Sequence, residues 1–226
     1  MKGGSVPERV AHALAWLERN GSKAGLDAMA RYNIQSDNAF GVPMNRIQKL
    51  AKELGRDHEL ALALYETGRY EARLLAAYVD DPAKVTAAQM EKWRRGFDNW
   101  GVVDTICFAL FDRTPHAWKK VAKWAALKDE FGKRAAFALL WGLTVHDKAS
   151  GDKPFLEALP LIERAATDER HFVKKAVNMA LRATGKRSRK LNAAALAVAK
   201  RLAASTHDAP RWVGRDAMRE LANYKV

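Results

Sequence analysis

Uninterrupted helical periodicity is the feature that most constrains what this chain can fold into. Apolar residues recur every three to four positions along almost its whole length, and no segment sustains the apolar–polar alternation of a half-buried strand. The pattern predicts helices over roughly 6–20, 23–32, 43–54, 57–67, 69–79, 86–97, 100–111, 115–127, 130–146, 154–166, 171–184, 189–204 and 210–223. The breaks between them carry stop and start chemistry, as in Gly55-Arg-Asp57, Asp80-Asp-Pro-Ala83, Thr114-Pro115, Ser150-Gly-Asp-Lys-Pro154 and Thr184-Gly185. Ala- and Leu-rich composition with few β-branched runs points the same way.

The helices also repeat. Lys133-Arg-Ala-Ala-Phe-Ala-Leu-Leu140 is echoed by Lys174-Lys-Ala-Val-Asn-Met-Ala-Leu181, and an Asp-Glu pair precedes each, at 129–130 and 168–169. The shorter Glu71-Ala-Arg-Leu-Leu-Ala-Ala77 lies about two repeats earlier. A period of roughly 35–41 residues with two helices per unit is the signature of HEAT-like repeats. The expected fold is therefore all-α: an α-solenoid forming a single domain over 1–226, with an N-terminal helical pair (1–35) joined to the array (36–226). The longest non-helical stretch, 33–43, is the expected connector. One helix of each pair would line a concave face and carry Arg73, then Trp100 and Asp104, then Arg134, then Lys174 and Lys175.

Charge narrows the choice of partner. Lys plus Arg outnumber Asp plus Glu by 39 to 26, a formal charge of +13, which attracts polyanions at long range. A concave face lined with cations has the sign and shape for duplex nucleic acid, whereas a protein-interaction scaffold has no need of such a charge. No apolar run approaches the roughly 18 residues of a membrane span, and the N-terminus shows no cleavable signal pattern. The lone Cys107 sits in an apolar run, is read as a buried inert thiol, and fits a reducing compartment. There is no phosphate loop, no dinucleotide fingerprint, no HExxH and no GxSxG, and the histidines do not cluster as ligands. No metal or other cofactor is expected. Asp147 after His146 at a helix end reads as a structural cap or a surface pair.

One constellation carries chemistry. Trp100 and Asp104 lie one turn apart at the start of an apolar helix that Asp98 or Asn99 can cap, so both side chains share a face. A carboxylate beside an indole suits stabilisation of a developing cation, such as a sugar losing its base. The plainer alternative, Asp104 as ion-pair partner of Arg134 on the next inner helix, stands equal to it on physical grounds. Trp93, Trp118, Trp124 and Trp141 are read as packing, and Trp212 beside Arg211 as a core residue closing the last repeat or a backbone contact. The basic run that includes Arg182, Lys186 and Arg187 is either a solvated, dipole-matched turn or a phosphate patch.

Several of these segments together resemble the AlkD-type DNA alkylation repair proteins, a HEAT-like superfamily of DNA glycosylases. The match runs over roughly 36–220 through Phe40-Gly-Val-Pro43, Glu71-Ala-Arg73, Phe97-Asp-Asn-Trp100 with Asp104, Lys133-Arg134-Ala-Ala-Phe137, His146-Asp-Lys148, Phe172-Val-Lys-Lys-Ala-Val-Asn178, Ala180-Leu-Arg182 with Gly185-Lys-Arg187, and Arg211-Trp212. The resemblance implies metal-free excision of cationic N-alkylated purines, 3-methyladenine and 7-methylguanine, from double-stranded DNA without flipping the base into a pocket. It places Trp100 and Asp104 on the deoxyribose as catalytic residues and Arg134 on DNA near the lesion. The expected DNA contacts are completed by Met179, Lys174, Lys175, Arg182, Lys186, Arg187, Arg73 and Arg211. It also implies a monomer in a bacterial-type cytoplasm, associated with DNA. The family's second aromatic wall is replaced here by Met179, which predicts weaker catalysis. A DNA-binding protein without excision is the alternative.

Overall fold

The structure, a computed structural model, describes residues 4–34 and 37–224. Among them are thirteen α-helices and one 3₁₀ turn, with no strand. The fold is all-α, and every helix expected from the periodicity is present, with ends moved by a few residues. The expected boundary at 35/36 falls on residues outside the described ones. The chain divides into two compact units, Met1–Thr114 and Pro115–Val226.

The first unit holds α1 (Val6–Asn20), α2 (Lys23–Arg31), α3 (Met44–Leu54), α4 (His58–Glu66), α5 (Tyr70–Val79), α6 (Ala87–Arg95), α7 (Trp100–Ala109) and the 3₁₀ turn Phe111–Arg113. Its axis is α5, which packs against α1, α3, α4 and α7. Of its ten residues only Tyr78 is not buried. Three alanines let the neighbours approach on every side, and the two charged residues that burial traps, Glu71 and Arg73, are both satisfied internally. Glu71 Oε1 accepts the backbone N–H groups of Phe40 (3.0 Å), Gly41 (2.7 Å) and Val42 (3.1 Å). The stretch 37–43, expected as a simple connector, is thus bolted to α5 by a buried carboxylate. Gly41 has φ +77°, which favours glycine, and a Cβ on Gly25 would lie 1.9 Å from the Gly41 carbonyl oxygen, so α2 and this loop meet backbone to backbone.

The second unit holds α8 (Ala117–Ala125), α9 (Glu130–His146), α10 (Lys153–Ala165), α11 (His171–Gly185), α12 (Arg189–Ala203) and α13 (Asp208–Leu221). Here α9 and α11 form the spine: α9 packs on α8 and α11, and α11 on α10, α12 and α13. The repeated Asp-Glu pairs both work at helix starts, in different ways. Asp129 caps α9 by accepting the Gly132 N–H at 2.7 Å. Asp168 instead accepts from Arg170 Nε and from Lys133 Nζ, each at 2.9 Å, tying the start of α11 to α9.

Helix ends are also finished by arginines distant in sequence. Arg187 donates to the carbonyl of Thr144 (2.9 Å) in the last turn of α9 and to that of Ser150 (2.7 Å) beyond it, and stacks on Phe155 at 4.2 Å. The last-turn carbonyls of a helix have no partner within it, and a planar guanidinium fork can serve two at once. Asp147 is the α9 C-cap; it accepts from Trp118 Nε1 (2.9 Å) and the Ser150 N–H (2.9 Å), in keeping with a structural cap.

Candidate functional site

Helix α7 begins at Trp100 because Asn99 caps it, its side-chain oxygen accepting the Val102 N–H at 3.0 Å. Of the two possible caps the structure uses Asn99; Asp98 is turned to Arg73 and Asn99. The helix reads Trp-Gly-Val-Val-Asp-Thr-Ile-Cys-Phe-Ala, so Asp104 is its only charged residue. Trp100 and Asp104 are both half-buried, and both line one cleft of about 400 Å³ in the first unit. The rest of that lining is largely apolar, including Met29, Ile34, Val42, Met44, Ile47 and Leu74. Trp100 is fixed in place by its Nε1–H, which donates to the Tyr32 carbonyl oxygen at 2.8 Å.

Tyr70 adds a polar atom to this lining. Burial, with Glu71 adding to it, pushes its phenol well above the ordinary tyrosine value, so the hydroxyl stays neutral at any working pH. Gly101 lets it approach: a Cβ there would sit 2.6 Å from the Tyr70 hydroxyl oxygen. An indole, a neutral phenol and a carboxylate in an apolar cleft form a site for an apolar body that bears or develops positive charge. A half-desolvated carboxylate acts on such a charge more strongly than it would in water. Tyr70 was missed by sequence reasoning, although its place one turn before the buried Leu74 is a signal that could have raised it.

The second unit carries the charge. Residues 1–114 contain 16 Lys and Arg against 15 Asp and Glu, a net +1, while 115–226 contain 23 against 11, a net +12. Met179 lines a cleft of about 420 Å³ there with Trp141, Lys148, Arg182, Lys186, Arg187 and Glu220. Burial works to raise the Glu220 carboxyl, and the hydrogen bonds and charges of Lys186 and Arg182 outweigh it, holding Glu220 below its ordinary value. A second cleft, of about 410 Å³, is lined by Lys174, Arg211, Trp212, Arg215 and Arg219 with Asp208 and Asp216. Lys174 and Lys175 lie over the Trp212 ring at 5.4 and 4.7 Å, and Arg211 pairs with Asp208. Trp212 is half-buried at this cleft rather than sealed in the core.

Three of the cations expected on DNA are committed inside the protein. Arg73 is 5% exposed; it pairs with Asp98 at 2.8 Å, donates to the Gly96 carbonyl and lies over the Tyr65 ring at 5.2 Å. Arg134, also 5% exposed, donates to the Phe172 carbonyl at 2.7 Å and joins α9 to α11. Arg187 finishes α9 as described above, though part of it still reaches its cleft. Sequence alone shows a cation at these positions, not the carbonyl it meets. Trp93 and Trp124 are fully buried as expected, whereas Trp141, read as packing, is half-buried on a cleft wall. Arg215 and Arg219 were missed; their i, i+4 spacing with Arg211 on α13 was the available signal.

Comparison with known proteins now gives this geometry a family. A family model described as DNA alkylation repair enzyme matches residues 13–221, and the chain belongs to that family. A solved structure described as "a new family of proteins related to the HEAT-like repeat DNA glycosylases with affinity for branched DNA structures" superposes with a TM-score of 0.78 at 21% identity, covering 96% of this chain and 97% of that one. At that identity the likeness establishes the shared HEAT-like helical-repeat fold. No curated protein matches the sequence. Among the described residues no group of three or more His, Cys, Asp or Glu is placed to hold a metal ion, and no helix is long and apolar enough to cross a membrane.

Proposed function

We propose that this protein binds DNA and excises cationic N-alkylated purines, such as 3-methyladenine and 7-methylguanine, from the duplex. The observation that carries the reading is the half-buried Asp104 carboxylate sharing a largely apolar cleft with Trp100. Family membership and the +12 of the second unit support DNA as the substrate. An alkylated purine already carries positive charge, so the C1′–N bond breaks with its electron pair going to the base, which departs neutral. The sugar then carries the charge. Asp104 stabilises that oxocarbenium ion, the Trp100 face adds a cation–π contribution, and the Tyr70 hydroxyl orients a water. The water oxygen bonds to C1′ and its proton passes to Asp104, closing the balance.

The test is release of free 7-methylguanine or 3-methyladenine from methylated duplex. Wild type releases base, and Asp104→Asn lowers the rate at least a hundredfold while duplex affinity stays within about threefold. Equal release by both proteins removes Asp104 from the chemistry. Release by neither leaves the second reading, a non-excising protein that binds branched DNA. Two observations favour that one: the branched-DNA affinity ascribed to the structural neighbour, and methionine at 179.

A further inference from the structure

The end of α2 carries an assignment of its own, one that rests on the reading that the chain excises bases from DNA. None of the nine residues of α2 is buried, yet the helix stands at the rim of the Trp100–Asp104 cleft, giving it Gly25, Ala28 and Met29, with Tyr32 just after them. Tyr32 is 69% exposed, and no other exposed large apolar side chain among the described residues exceeds 42%. Its ring and hydroxyl make no hydrogen bond or ring contact with any described residue. Its backbone, by contrast, is fixed on both sides. The Tyr32 N–H donates to the Met29 carbonyl at 3.0 Å, and the Tyr32 carbonyl accepts the Trp100 Nε1–H at 2.8 Å. The chain then turns at Asn33, whose φ of +55° is a left-handed conformation that asparagine tolerates, and Ile34 is buried. A ring on so fixed a backbone has two side-chain torsions left to lose when something covers it. Arg31, one residue earlier, is exposed, and its guanidinium makes no hydrogen bond or ion pair with any described residue.

A base cannot leave its sugar while its neighbours cover both its faces, so excision from a duplex needs an opened base step. Apolar side chains that open a step insert between the bases, kink the duplex and supply a surface in place of the lost stacking. We infer that Tyr32 is such a wedge: its ring enters the step beside the damaged nucleotide, and Arg31 takes an adjoining phosphate. The bond from Trp100 to the Tyr32 carbonyl keeps the wedge in register with the cleft. Tyr32 is a positioning residue and takes no part in the bond changes.

The experiment uses the full chain and two duplexes. One carries a single 7-methylguanine and reads base release; the other carries a tetrahydrofuran abasic analogue, which no glycosylase can process, and end labels whose energy transfer reads bending. Wild type bends the second duplex by at least about 20°. Tyr32→Ala leaves it straight and lowers kcat/KM for release about tenfold, whereas Tyr32→Phe behaves as wild type in both. The melting temperature of both variants is unchanged, because the ring is exposed. Arg31→Ala reduces the slope of log affinity against log salt by about 0.9. Binding by wild type without bending overturns the assignment, as does bending by Tyr32→Ala equal to that of wild type. A fall in the melting temperature of Tyr32→Ala that accompanies its loss of release makes the ring structural and overturns the assignment too. Failure to bind either duplex overturns the DNA reading and the wedge with it, whereas bending that depends on Tyr32 without any base release overturns only excision.

Discussion

The two units of this chain hold their clefts with opposite chemistry. In the near-neutral first unit a buried anion does the fastening: Glu71 gathers the N–H groups of Phe40, Gly41 and Val42 and so fixes the rim of the Trp100–Asp104 cleft. In the second unit a cation does it: Arg187 gathers the carbonyls of Thr144 and Ser150 beside the Trp141–Met179 cleft. The difference teaches that the chain keeps nearly all of its excess positive charge out of the unit that holds the Trp100–Asp104 cleft. Asp104 belongs to the unit with net +1, and the unit with net +12 exerts the stronger long-range attraction on a polyanion.

The contrast can be tested, beginning with its largest expected effect. Glu71→Ala leaves three N–H groups with no acceptor, and we expect a loss of about 3–5 kcal/mol in urea unfolding. Arg187→Ala strands only carbonyls and removes a stack, and should cost about half as much. Equal losses would show that the two fastenings are not opposites in cost.

Next is Asp168. Its hydrogen bonds from Arg170 hold the carboxyl well below the ordinary range; burial opposes them and Lys133 adds to them. Because the folded value lies below the unfolded one, the stabilisation is complete above about pH 4 and is lost as pH falls from there through the folded value. Asp168→Asn should therefore cost about 1–2 kcal/mol at pH 7 and flatten the melting temperature against pH below 4. An unchanged acid limb would remove Asp168 from the acid stability of the second unit.

A smaller effect separates the units by charge. Arg215→Ala should reduce the slope of log affinity for duplex DNA against log salt by about 0.9, while Lys49→Ala in the first unit leaves it unchanged. Equal reductions would place the polyanion surface on both units. Least of all, Arg201→Ala breaks the exposed pair with Glu163 and should shift stability by no more than about 1 kcal/mol.

What was legible in the sequence follows from the range of the forces involved. Periodicity and caps are local, so helix α7 could be placed from Asn99 and the apolar residues after it, and all the others similarly. The Trp100–Asp104 pair was legible for the same reason, both residues lying on one helix. The fates of Arg73, Arg134 and Arg187 were not, because each is decided by a carbonyl between 23 and 43 residues away. Trp141 escaped because its helix is otherwise largely buried, and an Ala-Leu-rich neighbourhood gives no sign that this indole reaches a cleft wall.

The arginine that finishes α9 has a consequence for synthesis. Arg187 follows Thr144 by 43 residues. At ribosomal speed that interval lasts about two to nine seconds, during which the end of α9 is already made and its closing fork is not. The nascent second unit must wait for α11 to emerge before its spine can lock, so a pause or truncation between the two would leave a helix with an open end.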